Sequence, residues 1–272
     1  MEILLTMQLP DRRVLLTSAP NMRDLGGIPV TGGVVESGIL YRSASLSKLD
    51  AADEDAFAKL DITTVYDLRT APEREGALDR LPEGIRSVWL DVVADAPDNI
   101  AASIPTLLAD PAALENVLGS GHADKYLADA NRKFVSMPSA LDAYRRFYLD
   151  LIDEHRTGAA LFHCTTGKDR TGWAAASFLL LVGASEDAVR ADYLETNIDL
   201  APALQPMLDT LATTGVNTEL LQPLLGVRDS YLDAALDELC SRYGTIEDYA
   251  RTGLGISNQQ IDALRTRFIR TE

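Results

Sequence analysis

Apolar positions along the chain follow three successive patterns. In the first 45 residues, short apolar runs such as Val34-Val35 and Ile39-Leu40-Tyr41 sit among Gly26, Gly27, Gly32, Gly33 and Gly38, which predicts strands joined by turns. Residues 50–60 place Ala52, Ala56, Phe57 and Leu60 at helical spacing. Residues 62–68 are β-branched and apolar and predict a strand, and residues 88–93 predict another. Helix alternating with strand argues for an α/β layer. Residues 94–138 are mixed: Pro97, Pro105, Pro111 and Gly119-Ser120-Gly121 break them into expected short helices and loops.

From Ser139 the helical period is clear. Leu141, Tyr144, Phe147, Tyr148, Leu151 and Ile152 share one face, with Ser139 as the expected N-cap. Gly158 ends that helix, residues 159–162 form a short buried strand, and a glycine-containing loop leads into a helix over about 171–182, closed by Gly183. Another helix begins at Ser185. Helices are then expected over residues 202–212, 218–225, 230–243, 246–251 and 258–269, the last opened by the capping box of Ser257 and Gln260. The expectation is one α/β domain over residues 1–272 with a helical C-terminal third.

Composition narrows the partners. Hydrophobic residues at 46% and charged residues at 24% are ordinary for a folded chain. A net charge of −16 disfavours nucleic acid and anionic membranes, so an anionic ligand needs a local cluster of donors. Two cysteines, Cys164 and Cys240, are too few for a disulfide framework, so the cytoplasm is the expected compartment. The N-terminus shows no Sec-type signal, and export without one stays open. The longest apolar stretch, residues 173–182, is too short for a transmembrane segment. Cys240, near Leu232, Leu236, Leu239 and Tyr243 on a helix, is expected to be a small buried hydrophobe.

The chemistry concentrates in Leu161-Phe162-His163-Cys164-Thr165-Thr166-Gly167-Lys168-Asp169-Arg170-Thr171-Gly172. A cysteine ends a predicted strand, an arginine follows six residues later, and a helix starts directly after. The five residues between Cys164 and Arg170 can curl so that their N–H groups line a concavity sized for a tetrahedral anion, with the helix N-terminus beneath it. Arg170 can grip two oxygens with its planar fork, and Cys164 would attack the phosphorus as a thiolate. The alternative is a buried strand-end cysteine beside a surface arginine. A Walker A loop is excluded by Phe162 and Asp169, and a zinc site by the scarcity of His and Cys.

This Cys-x5-Arg-Thr segment resembles the tyrosine phosphatase superfamily, and its Cys-Thr-Thr-Gly-Lys-Asp-Arg-Thr-Gly form is similar to the bacterial, mycobacterial PtpB-type group. Asn21-Met22-Arg23-Asp24-Leu25-Gly26-Gly27, Leu40-Tyr41-Arg42-Ser43, Asp67-Leu68-Arg69-Thr70 with Glu73, Tyr193 and Gly226-Val227-Arg228 agree with it. The resemblance implies a central, largely parallel sheet flanked by helices and a phosphocysteine mechanism without metal or cofactor. The implied substrates are phosphotyrosine monoesters, with phosphoserine/threonine and phosphoinositides as further ones. It also implies a helical C-terminal lid over residues 198–225, whose alternative is a plain helical cap.

The remaining residues keep more than one reading. Phosphate binding is expected of Thr165, Thr166, Gly167, Lys168, Asp169, Arg170 and Thr171. His163 orients the loop or is simply a core histidine. Lys168 adds a cation toward substrate or is solvated. Asp169 protonates the leaving oxygen, positions water or braces the loop; Asp95, Asp91 and, more weakly, Asp98 are the other acids. Arg42 and Arg69, with Arg23, Asp24 and Glu73, brace the loop or form structural ion pairs. Two functions compete with phosphatase activity: rhodanese-like sulfur transfer, and a phosphate- or phosphoinositide-binding module without turnover.

Overall fold

The computed structural model describes residues 9–96, 120–213 and 218–271. Asp98, Pro105, Pro111 and Gly215 lie outside them. The main sheet has five strands in the order β1 (Arg23–Asp24), β4 (Leu40–Ser43), β7 (Ala159–His163), β5 (Ile62–Asp67) and β6 (Arg86–Trp89). The last four run parallel, and β1 pairs antiparallel with β4 at the edge. A second, three-stranded sheet joins β2 (Pro29–Val30), β3 (Gly33–Val35) and β8 (Ile269–Arg270). This is the mixed α/β architecture expected, with helices on both faces of a mostly parallel sheet.

Alternation along β7 explains how the sheet separates two cores. Ala160 and Phe162 face the larger one, and Ala159 and Leu161 face the smaller. On the larger side lie α4 (Pro138–Leu151) and α5 (Asp169–Leu181). Phe147 of α4 packs edge-on against Tyr66 of β5, ring centroids 5.0 Å apart. The smaller core packs Phe57 of α1 (Ala51–Ala58) against Tyr41, Val65 and Leu161. β7 is buried at all five positions, so the residue that leaves its end emerges in the middle of the molecule. That residue is Cys164.

Several boundaries differ from the sequence expectation. The strand expected over 88–93 is Arg86–Trp89: its last ladder bond runs from the Leu90 N–H to the carbonyl of Asp67, where the neighbouring β5 ends and offers nothing further to pair with. Helix α5 begins at Asp169, inside the loop, rather than at about 171. Within the stretch read as mixed, His122–Ser136 forms one helix, α3, burying Ala123, Leu127, Asn131, Phe134 and Val135 on one side. The two helices expected from Ser185 and over 202–212 are one, α6 (Glu186–Thr213), with Pro202 and Pro206 inside it. Each proline removes one backbone bond, and the loss falls where α6 buries no residue fully between 201 and 213. After Thr218–Leu221 and α7 (Gln222–Leu225) comes α8 (Asp229–Tyr243). Cys240 of α8 is exposed, not buried, because the buried face runs through Tyr231, Leu232, Ala235 and Leu239. Ile246–Asp248 (α9) passes into a π-turn, and α10 (Asn258–Phe268) closes the fold with the expected capping box.

Candidate active site

The loop between β7 and α5 is held from outside by its carbonyl groups. The Cys164 carbonyl faces His163 Nδ1 at 3.0 Å, and the Thr165 carbonyl accepts from the Ser45 N–H at 3.1 Å. Asn21 Nδ2 donates to both the Thr166 and Gly167 carbonyls at 3.0 Å, and Arg42 Nη2 donates to Gly167 O at 2.9 Å. A trans peptide points its N–H opposite its C=O. Four carbonyls drawn outward therefore turn the N–H groups of Thr165, Thr166, Gly167 and Lys168 toward the loop interior. Gly167 is required for this path: its φ is +68°, and a Cβ there would lie 2.2 Å from the Ser43 carbonyl oxygen.

Cys164, the residue from which the loop leaves β7, is 2% exposed. It lies within electrostatic reach of both Arg170 and Arg42. Arg170 uses one edge of its guanidinium on Glu73 of α2 (Ala71–Gly76), Nη1 donating to Oε2 at 2.7 Å and Nη2 to Oε1 at 2.8 Å. Its Nε–H makes no hydrogen bond to the described residues, and together with the second Nη2–H, the one not used on Glu73, it forms a further two-pronged donor edge. Burial opposes the charge on both partners, but their mutual bonds outweigh it, raising Arg170 and holding Glu73 well below the usual carboxylate range. Thr165 Oγ1 also donates to Glu73, at 2.6 Å. Glu73 is fixed by the α2 capping box with Thr70.

His163 Nε2 lies 3.0 Å from Asp79 Oδ2. The ring thus bridges the Cys164 carbonyl and the Asp79 carboxylate. Asp79 is the partner that sequence reasoning missed. Burial works against its charge, and the bond and field of His163 together with Arg69 hold it lowered. Arg69 spans Asp67 at 2.8 Å, Asp79 at 3.0 Å and the Ala77 carbonyl at 2.7 Å. Asp67, Asp79 and His163 are close enough to share a metal ion, but Arg69 already supplies the cation there. Arg69 and Arg42 are both buried, neither on an open rim. Burial and the neighbouring Arg23 push Arg42 down to about 10, with Asp192 pulling the other way.

The other expected residues fall in different places. Lys168 is buried, its Nζ 2.9 Å from Asp169 Oδ1 and 3.1 Å from the Gly226 carbonyl, so it faces the helices after α6. Asp169 opens α5 beside Arg170. Thr171 is fully buried, and its hydroxyl has no partner among the described residues. Asp91 accepts from the Ala71 and Val93 N–H groups; burial raises it, and it lies within the field of Arg170. Asp95 is instead exposed and accepts from the Ser139 N–H at 2.7 Å, at the start of α4. The structure thus gathers Cys164, Arg170, Glu73, Thr165 and Asp169 and leaves Asp95 outside the group.

Residues 14–270 match the family model described as the tyrosine phosphatase family. The triple specificity protein phosphatase PtpB of Mycobacterium tuberculosis is 32% identical over 275 residues, covering 92% of this chain and 96% of that one. A Cupriavidus necator protein assigned by name to the tyrosine-protein phosphatases is 32% identical over 89% of this chain and 84% of its own. A tyrosine-protein phosphatase of Nostoc commune is 30% identical over 83% of this chain and 72% of its own. Among the described residues no helix is long and apolar enough to cross a membrane. With the match extending through nearly the whole fold and the loop, this chain belongs to the tyrosine phosphatase family.

Proposed function

We propose that the protein hydrolyses phosphotyrosine monoesters, and also phosphoserine/threonine and phosphoinositide monoesters, through a phosphocysteine on Cys164. The carrying observation is the outward pull on four loop carbonyls, which leaves inward N–H groups and the free Arg170 edge above a buried cysteine. The name of the mycobacterial relative supports the broader substrate range.

In this reading the phosphoryl oxygens are held by the loop amides and Arg170. The Cys164 thiolate attacks phosphorus, the P–O bond to the leaving group breaks, and Asp169 gives that oxygen its proton. Water then attacks the phosphocysteine, returns a proton to the aspartate and releases phosphate and the thiolate. Asp91 is the alternative proton source, since burial favours its protonated form. Residues 198–225 act as a lid. In support, Lys168 reaches Gly226, and a cavity of about 370 Å³ lined by Leu200, Leu204, Leu208, Leu225 and Val227 adjoins that glycine.

The test is Cys164→Ser against p-nitrophenyl phosphate, with thermal melting in parallel. The variant is expected to melt like the wild type and to release no phosphate. Retained turnover would overturn the mechanism, and phosphate binding by a wild type without turnover would favour the binding-module reading.

A further inference from the structure

The two side chains that grip the loop carbonyls from outside, Asn21 and Arg42, are each held by a third party. Arg42 places Nη1 2.6 Å from Asp192 Oδ2. Asn21 Oδ1 accepts from Arg23 Nη1, and Arg23 in turn sets Nε 3.1 Å from Asp192 Oδ1 and Nη2 2.8 Å from the Asp192 carbonyl. Both branches start at one carboxylate, leave from its two different oxygens, and converge on the Gly167 carbonyl. Asp192 lies in α6, with its side chain 1% exposed, and touches no atom of the loop in the contacts described.

We infer that Asp192 is the positioning residue of the oxyanion loop, acting through Arg42 and through Arg23–Asn21 to keep the Gly167 carbonyl turned out; this rests on the phosphatase reading above. Arg23 and Arg42 are both fully buried, and the charge of Arg23 works against that of Arg42. Arg12 adds a third cation, 3.0 Å from Asp192 Oδ1. Glu195 and Asp199 still reach Arg12 and Arg23, but removing the shared carboxylate leaves the buried Arg42 with no ion pair among the described residues beside the charge of Arg23, and the two guanidinium groups must separate. The grips that separation loosens are those on Gly167. Once released, the peptide between Gly167 and Lys168 can rotate, withdrawing one N–H from the ring and presenting an oxygen to an incoming oxyanion. The loss therefore appears first in oxyanion binding.

Asp192→Asn alone risks misfolding, so the experiment uses Arg12→Gln as background and compares it with Arg12→Gln/Asp192→Asn. The pair removes one charge of each sign, and Arg12 contacts no loop atom among its bonds. Inorganic phosphate and orthovanadate serve as probes, through their inhibition constants against p-nitrophenyl phosphate hydrolysis, with melting curves alongside. Phosphate inhibition is expected to weaken about tenfold or more, the scale of one charge-assisted hydrogen bond, while melting stays cooperative. Adding Asn21→Ala should cost less than it does in the background, because that branch is already cut. Asp192→Glu, which keeps the charge but shifts it by one methylene, should move the inhibition constant in the same direction and melt like wild type. An inhibition constant within about twofold of the background, or Asn21 and Asp192 effects that simply multiply, would overturn the inference. If either result came with a wild type showing Cys164-dependent hydrolysis, the loop reading would survive. A wild type that neither hydrolyses the ester nor responds to phosphate would remove both.

Discussion

Replacing Glu73 with Gln tests whether Arg170 is aimed by a charge or only by shape. The carboxylate takes Arg170 on both oxygens, Thr165 Oγ1 on Oε1, and the Thr70 N–H and hydroxyl on Oε2. A carboxamide has one acceptor oxygen, so either orientation sets an NH2 against an Arg170 N–H. Breaking a buried ion pair from one side costs about 3–5 kcal/mol. The partners are 13% and 19% exposed, which places the expected loss at the lower end, about 3 kcal/mol at pH 7. The pH dependence follows from the depressed Glu73. A carboxylate lowered in the fold stabilises it fully above the unfolded value, 4.5, and that contribution fades as pH falls toward the folded value. The glutamine variant lacks this contribution at every pH. The difference between the two proteins should therefore be about 0.8 kcal/mol smaller at pH 4 than at pH 7, provided the folded value lies well below 4. Urea unfolding of both proteins at the two pH values measures it. A gap below about 1 kcal/mol at pH 7, or one unchanged at pH 4, would refute the assignment of Arg170 to an ionised Glu73.

The other expectations can be stated briefly. Gly167→Ala should destabilise the fold by more than about 2 kcal/mol, adding left-handed strain to a Cβ that has no room beside the Ser43 carbonyl, and should abolish phosphate inhibition; an unchanged melting temperature would contradict the loop path. Asp169→Asn should remove the basic limb of the kcat–pH profile, whereas Asp95→Asn should keep it because Asp95 serves the start of α4. Loss of that limb in Asp91→Asn instead would transfer the proton to Asp91, which burial already holds protonated to higher pH than an ordinary aspartate.

Residues close in sequence were legible, and those joined only by the fold were not. Cys164, Gly167 and Arg170 share one turn, so their spacing exposes the loop before any fold is known. The helix after it and the buried strand before it follow from local apolar pattern in the same way. Asp79 and Asp192 left no such trace. Each is one aspartate in a chain with 41 acidic residues, and each matters through a partner 84 or 150 positions away, His163 or Arg42. Asp95 was a candidate by its order after a predicted strand, but order could not show that its carboxylate meets the Ser139 N–H. Prolines 202 and 206 suggested a break because local rules penalise them; an exposed helical stretch tolerates the lost bonds.

A net charge of −16 leaves open how such a chain attracts an anion at all. Every arginine around the loop is paired: Arg170 with Glu73, Arg69 with Asp67 and Asp79, and Arg23 and Arg42 with Asp192. Counted as charges, these groups nearly cancel, and a long-range positive field is not what the site offers. Direction decides instead. The carboxylates stand behind or beside the arginines, while the concavity is lined by N–H groups and the unshared Arg170 edge, whose fields act over a few ångströms. Recognition of this kind is short-ranged. Association with an anionic ester should then vary little with ionic strength at the loop itself, and the acidic surface should slow the approach of highly charged substrates at low salt. Comparing kcat/KM for a singly phosphorylated neutral peptide and an acidic one across salt concentration separates the two contributions: the acidic peptide should gain with salt and the neutral one should not. Equal salt dependence would mean that the outer field, rather than the loop, governs capture.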